Sequence, residues 1–141
     1  MSPYSTSIAI IDDDEIFQML VRKILEKKIA GGSILQFSDG FAALLYFMNN
    51  EKSIHLLPPV ILLDLNMPGM DGWQFLKHFS KLQFSPSYTP SVFIISGTEL
   101  FDIEKLRAHS FIKGYLVKPI APAELLRIIH AETQGNEDGP E

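Results

Sequence analysis

The sequence contains no cysteine. That absence removes disulfide staples, thiolate zinc sites and thiol nucleophiles from consideration, and it agrees with a reducing compartment. Long apolar runs are missing as well. No stretch of about 18 apolar residues occurs, so no membrane span is expected. The first residues, Met1-Ser2-Pro3-Tyr4-Ser5-Thr6-Ser7, lack a basic region followed by an apolar one and do not read as a signal peptide. Basic residues are in the minority, with 12 Lys and Arg against 17 Asp and Glu and a net charge of −5. A protein held to nucleic acid by charge has the opposite balance. The expectation is a soluble, cytoplasmic protein that binds neither membrane nor DNA directly.

What is present suits one globular domain. The chain has 141 residues, 46% of them apolar and 21% charged. A chain of this size buries roughly two-thirds of its unfolded surface and needs no staple to fold. Ten Phe residues point to a substantial core.

Strand and helix signals alternate along the chain. Residues 8–11 form a short unbroken apolar run that ends abruptly in acid, as expected for a strand buried on both faces of a parallel sheet. From residue 14 to about 29, Phe17, Leu20, Val21, Ile24 and Leu25 recur at helical spacing, and Gly31-Gly32 stops the helix. A second strand covers Ser33–Phe37. Ser38-Asp39-Gly40 opens a helix whose Phe41, Leu44, Leu45 and Met48 make an apolar stripe. Residues 49–59 read as a loop, 60–63 as a third strand, and 66–72 as turn chemistry. Helix is expected over 73–82 with Phe75, Leu76 and Phe79 inward, strand over 91–95, a fairly polar helix over 99–109, and strand over 114–117. The last helix runs from 122 to about 131 with Leu125, Leu126, Ile128 and Ile129, before an acidic tail over 133–141 expected to be disordered. Five βα units without repeat or linker give one α/β domain with a parallel sheet and right-handed crossovers. Ligands in such folds sit beyond the carboxyl ends of the strands.

Those ends carry chemistry. Strand one ends in Asp12-Asp13, strand three in Asp64, strand four in Ser96 and strand five in Lys118. Carboxylates brought together repel, by about 4 kcal/mol at 4 Å for an effective dielectric near 20. A hard divalent cation with oxygen ligands offsets that repulsion, and Mg²⁺ fits best because it leaves positions open for phosphate oxygens. A lysine supplies fixed positive charge and a serine hydroxyl donates a hydrogen bond. Carboxylate, metal, cation and hydroxyl are the parts needed to transfer a phosphoryl group onto an aspartate.

The four segments that carry these residues resemble, in order, the receiver domains of two-component response regulators, the CheY-like family. They are Ile8-Ala9-Ile10-Ile11-Asp12-Asp13-Asp14, Val60-Ile61-Leu62-Leu63-Asp64-Leu65-Asn66-Met67-Pro68-Gly69-Met70-Asp71-Gly72, Val92-Phe93-Ile94-Ile95-Ser96-Gly97 and Gly114-Tyr115-Leu116-Val117-Lys118-Pro119. The resemblance covers residues 6–132, leaving an arm over 1–5 and the tail over 133–141. It implies a flavodoxin-like three-layer sandwich with strand order 2-1-3-4-5 and five helices. It implies that Asp64 is the phosphoacceptor, Asp13 a direct Mg²⁺ ligand and Asp12 its neighbour acting through water. Asn66 would give its backbone carbonyl to the metal. Lys118 would pair with acid and then with the phosphoryl group, followed by a cis bond to Pro119. Ser96 and Tyr115 would be the switch residues. A sensor histidine kinase or histidine phosphotransfer protein would be the donor. The protein would catalyse only its own phosphorylation and dephosphorylation and would not be an enzyme in the ordinary sense. Its signal would leave through the face around Leu100, Phe101, Lys105, Tyr115 and Pro122, which fits a stand-alone receiver.

Some features depart from that family or read differently in isolation. Gly97 stands where alanine is common, and the 49–59 segment is longer than in compact members. Asn66 and Thr98 hold positions that tune dephosphorylation in the family. Taken singly, Asp12-Asp13-Asp14 would only cap a helix, Ser96-Gly97 would do the same, and Tyr115 would be a half-buried strand residue. His55, His78, His109 and His130 share no ligand spacing, and Trp73 reads as packing. Two other functions compete: a pseudo-receiver that never accepts phosphate, and a haloacid-dehalogenase-type aspartyl phosphatase. The phosphatase requires a second acid two residues after the nucleophile, where Asn66 stands. A dinucleotide-binding domain lacks its Gly-rich turn after strand one.

Overall fold

The computed structural model describes residues 6–27, 33–97 and 103–137, and only the backbone of 6, 7, 103, 106 and 132–137. Among these residues the elements are β1 (Thr6–Ile11), α1 (Glu15–Glu26), β2 (Ser33–Phe37), α2 (Gly40–Asn49), β3 (Val60–Asp64), α3 (Gly72–Phe79), β4 (Ser91–Ser96), α4 (Ile103–Arg107), β5 (Ile112–Val117) and α5 (Pro122–Glu137). A single 3-10 turn, Ile54–Leu56, interrupts the long loop before β3.

The sheet has five parallel strands in the order β2-β1-β3-β4-β5. β3 and β4 are buried along their whole length, and β1 is buried from Ile8 to Ile11. Helices cover both faces, so a strand there has no polar side to show, and this explains the unbroken apolar runs. One face packs Ala9, Ile11, Ile61, Leu63, Val92 and Ile94 beneath α2 and α3; the other packs Ile8, Ile10, Leu62 and Ile95 beneath α1 and α5. Successive residues along each strand therefore fill different layers. α4 lies beside α3, with the Lys105 ammonium 5.2 Å from the Trp73 ring centroid.

Aspartate starts three of the helices. Asp14 accepts from Ile16 and Phe17 N–H at the head of α1, Asp39 from Ala42 N–H at the head of α2, and Asp71 forms a reciprocal capping box with Gln74 on α3. Asp14 and Asp39 turn the chain within three residues of a strand end, and Asp71 does so after the 65–70 loop that follows β3.

Three expectations need correction. The apolar stripe of α2 was placed one residue out of phase. Gly40, Ala43, Leu44 and Phe47 face the core, whereas Phe41, Leu45 and Met48 are exposed. On α1, Leu20 is exposed beside Ile16 and Met19, and Val21 and Leu25 form the buried face. α5 continues to Glu137 rather than ending near 131, so 133–137 is helical; 138–141 and the expected Gly31-Gly32 stop lie outside the described residues. Helix boundaries move less elsewhere: α1 ends at Glu26 and α3 at Phe79, while α4 is described only from Ile103.

Phe47 anchors the α2–α3 layer. Its ring meets those of Phe75, Phe79 and Phe84 edge-on at 6.0, 5.1 and 6.3 Å, a favoured aromatic geometry. Among the described residues, no helix is long and apolar enough to cross a membrane. The two faces of α2 give a direct test by urea unfolding. Phe47→Ala is expected to cost about 3–5 kcal/mol, and Phe41→Ala less than about 1 kcal/mol.

Candidate functional site

The register of the sheet brings the strand ends level. Ile11 pairs with both Phe37 and Leu63, Asp64 with Ile95, and Ser96 with Val117. The next residues, Asp12-Asp13 and Lys118, therefore emerge at one edge with Asp64 and Ser96.

Asp12 is fully buried. Its N–H donates to Phe37 O at 3.0 Å, which extends the β1–β2 ladder by one step. Its carboxylate Oδ1 accepts from Asp14 N–H at 2.8 Å, and Oδ2 pairs with Lys118 Nζ at 2.6 Å. A buried ion pair contributes little net stability, but removing one partner strands the other charge. Lys118 is held from several sides: Asp14 Oδ2 lies at 3.8 Å, the Phe17 ring centroid at 4.5 Å, and the backbone N–H of Lys118 donates to Ser96 O at 2.7 Å. The Lys118–Pro119 peptide is cis.

Asp64 closes β3 and is nearly buried. Asn66 N–H donates to its Oδ1 at 3.2 Å. Burial pushes the Asp64 carboxyl up from 3.8 to about 6, and nearby Asp12 adds to the rise, while Asn66 N–H and the Lys118 charge pull the other way. Burial wins because the favourable partners are outnumbered by lost water. Asp12, Asp13 and Asp64 each bring a carboxylate oxygen within 4.8 Å of the others. Asp13 is exposed, so this corner of the site opens to solvent.

The donor set fits a hard divalent cation. Three carboxylates offer oxygen only, among the described residues no histidine shares the cluster, and one wall is open for water. Mutual repulsion among buried acids is the condition a cation relieves.

Two glycines shape the rim. A Cβ on Gly72 would lie 2.6 Å from Asp64 O and 2.7 Å from Leu65 Cα, so only glycine lets α3 start against the β3 end. The sequence marked Gly72 as a turn residue and missed this close approach. At Gly97 a Cβ would meet nothing within 4 Å, so the departure from alanine is sterically neutral. Phe17 was read as core; its position under Lys118 was also missed.

The structure brings Asp12, Asp13, Asp64 and Lys118 together, with Ser96 joined to them through its carbonyl at the Lys118 N–H and Asn66 through its N–H at Asp64. Ser96 is buried at the end of β4. Tyr115 projects from the edge strand β5, half exposed, beside a groove lined by Leu116, Arg127 and Ile128. His109 stacks on Phe111 at 5.1 Å, and His55, His78 and His130 are exposed. Thr98, Leu100 and Phe101 lie outside the described residues.

Residues 8–130 match the family model of the response regulator receiver domain. The chain belongs to that family. The receiver domain is 30% identical over 123 residues to the probable methanogenesis regulatory protein FilR2 of Methanothrix harundinacea, covering 86% of this chain and 77% of that protein. It is 29% identical over 120 residues to the uncharacterized transcriptional regulatory protein YesN of Bacillus subtilis, covering 84% of this chain but 30% of that one. The chain thus spans only a part of several longer relatives. A two component response regulator from Cytophaga hutchinsonii superposes with a TM-score of 0.75 at 25% identity, over 93% of this chain and 98% of that one. A CheY-like receiver from Methanospirillum hungatei gives 0.73 at 20% identity, over 96% and 100%.

The raised Asp64 carboxyl makes stability depend on pH. Unfolded, the group ionises near 3.8; folded, near 6. Below 3.8 both states are protonated and no penalty exists. The penalty grows between those values and is complete above 6. Asp64→Asn is therefore expected to stabilise the receiver by about 2 kcal/mol at pH 7.5 without divalent cations, a gain that vanishes below pH 4, as thermal melts across that range will read.

Proposed function

We propose that this receiver domain accepts a phosphoryl group on Asp64 from a phosphohistidine of a sensor kinase or phosphotransfer protein, in a Mg²⁺-dependent reaction. The observation that carries this reading is the set of three carboxylates within 4.8 Å of one another beside the Lys118 ammonium. A carboxylate oxygen of Asp64 attacks phosphorus as the phosphorus–nitrogen bond breaks, and the donor imidazole, already protonated at its other ring nitrogen, leaves neutral. The nucleophile must be ionised; burial raises the Asp64 carboxyl to about 6 in the empty site, and a cation bound beside it would favour the carboxylate.

Asp13 and Asp64, the Asn66 carbonyl and, through water, Asp12 would hold Mg²⁺. Bound there, the ion supplies positive charge to the phosphoryl oxygens. Lys118 is the mobile cation: its ammonium leaves Asp12 for the new phosphoryl oxygens, a reach its linear side chain permits. Ser96, buried at the end of β4, donates its hydroxyl to the same group. Because Lys118 N–H is tied to Ser96 O, the two loops move together. Tyr115, three residues before Lys118 on β5, then turns from its exposed position. The change is a shift between two packings of one fold. Water later attacks phosphorus and returns the Asp64 carboxylate and inorganic phosphate.

Ile16, Met19 and Leu20 lay an exposed apolar strip on α1 that starts beside Asp13, and a phosphodonor protein approaching Asp64 has this strip to dock on. The output is proposed to be a partner protein on the α4–β5–α5 face.

Incubation with Mg²⁺ and acetyl phosphate is expected to add one phosphoryl group by mass, base-labile and acid-stable, and Asp64→Asn is expected to abolish it. No labelling by small donors or by a phosphorylated histidine protein overturns the reading in favour of a non-phosphorylated interaction module. Turnover of free phosphate esters would favour a phosphatase.

A further inference from the structure

Between β1, β2 and α1 lies a hydrogen-bond cluster that the phosphoryl chemistry does not use. The Gln18 side chain, in the first turns of α1, is half-buried, and its Nε2 stands 3.1 Å from Ile10 O, 3.1 Å from Asp12 O and 3.0 Å from Phe37 O. An amide NH₂ has two hydrogens, so these three carbonyls share two donors. The same Phe37 O accepts from Asp12 N–H at 3.0 Å. Both ends of the Asp12 residue are thereby tied: its N–H to Phe37 O, and its C=O, the carbonyl of the Asp12–Asp13 peptide, to Gln18 Nε2. That peptide plane sets where the Asp13 side chain departs.

Gln18 is itself fixed. Gln36, on the edge strand β2, donates from Nε2 to Gln18 Oε1 at 2.8 Å and to Gln18 O at 2.9 Å. Accepting at Oε1 forces the Gln18 nitrogen toward the three carbonyls, so Gln36 settles which way round the amide sits. Arg22 in turn donates to Gln36 Oε1 at 2.8 Å and pairs with Glu26 at 3.0 Å. The run from Glu26 to Asp12 is continuous, and every amide in it has its orientation determined by the next group.

We infer that Gln18 is a positioning residue for the metal-binding acid loop: its amide fixes the Asp12–Asp13 peptide so that Asp13 stands ready beside Asp12 and Asp64, and Gln36 orients that amide. The inference rests on the proposed Mg²⁺ site. Its alternative is plain structural support, in which Gln18 only joins α1 to the sheet. The two differ in what they predict. A positioning role concerns the placement of a ligand before the ion arrives, so its loss weakens ion binding and leaves the phosphoryl step intact once the site is filled. Groups that orient a metal ligand from behind typically change affinity by about 10–100-fold. Gln18 acts through the backbone, one bond system removed, so the lower end applies.

The test is a titration of the full chain with Mg²⁺ alone, followed by backbone amide NMR shifts, with no phosphodonor present. Gln18→Met keeps length and apolar volume but removes the donors, and is expected to raise the Mg²⁺ dissociation constant about tenfold. Gln36→Met leaves the Gln18 amide in place but unoriented, and is expected to raise it about threefold. Phe47→Leu, on the opposite face of the sheet, serves as a destabilised control and is expected to leave it unchanged. Phosphorylation by acetyl phosphate at saturating Mg²⁺ is expected to proceed in both Gln variants within about threefold of the parent. Unchanged Mg²⁺ affinity in a folded Gln18→Met protein overturns the inference. So does a rate that stays low at saturating Mg²⁺, or a loss of affinity in Phe47→Leu equal to that in Gln18→Met. If Gln18→Met does not fold, Gln36→Met decides alone: affinity within 1.5-fold of the parent, by the same NMR reading, overturns it. A parent chain that binds no Mg²⁺ removes the proposed function itself, a result separate from all of these.

Discussion

The Lys118–Asp12 ion pair is the contact on which the site depends. Asp12 is wholly buried, and a buried carboxylate needs a partner within hydrogen-bond reach. Lys118 meets that need from the far side of two intervening strands, because β1 and β5 are separated by β3 and β4 in the sheet. One ammonium thus spans the carboxyl edge of the domain. It also leaves a surplus: among the described residues Lys118 is shared by Asp12, Asp14 and Asp64, so these acids outnumber the cation beside them. The raised Asp64 carboxyl is the consequence, since burial and Asp12 together outweigh Lys118.

The parallel sheet makes this convergence inexpensive in sequence. Each βα unit returns its next strand in the same direction, so every strand delivers its last residue to the same edge. Flush register then does the rest: Asp64 opposite Ile95 and Ser96 opposite Val117 place acid, hydroxyl and cation within one cleft. The loops beyond must be short and stiff for the geometry to hold. The Asp14 cap turns the chain into α1 at once, and at the far end of the 65–70 loop the Asp71 cap and the close backbone approach at Gly72 start α3 against the β3 end. Asp14 does two things here, ending the acid loop by capping α1 and lying 3.8 Å from Lys118.

Most of this was legible in the residues, for a physical reason. A strand buried on both faces must be apolar throughout, so β1 and β3 end where the first acid appears, at Asp12 and Asp64, and β4 ends at the hydroxyl of Ser96; β5, an edge strand that already holds Lys113, ends at Lys118-Pro119. The phase of α2 was not legible. Gly40, Ala43, Leu44 and Phe47 satisfy the same i, i+3, i+4, i+7 spacing as Phe41, Leu44, Leu45 and Met48, one residue earlier. In a helix with scarcely a polar residue, periodicity cannot choose between them. The small residues Gly40 and Ala43 won the inner face because α2 presses on its surroundings: a Cβ at Gly40 would meet Met70 O at 2.9 Å. The reach of α5 to Glu137 was missed because an acidic, polar segment was read as tail, although nothing in it but Gly135 opposes helix. Gly72 and Phe17 were visible as residue types but not as roles, since a turn glycine and a core phenylalanine look the same in sequence whether or not they touch the site.

The electrostatics of the cleft connect its stability to its use. A site whose charges were fully balanced in the resting protein would have no reason to take up a cation or a phosphoryl group. Here the balance is incomplete: among the described residues the Lys118 ammonium faces Asp12, Asp14 and Asp64, and burial raises the carboxyl of Asp64, which stands at the end of a fully buried strand. The penalty for ionising Asp64 at neutral pH is carried by the rest of the fold, whose two apolar layers pack either side of β3. On the proposed function, a bound divalent cation would remove that penalty, and transfer of a phosphoryl group would turn the carboxylate into an acyl phosphate whose outer oxygens compete with Asp12 for Lys118. The resting ion pair would then be the reference for the phosphorylated state, and the proposed switch would be as strong as the difference between what Lys118 gains from the phosphoryl oxygens and what it loses on leaving Asp12.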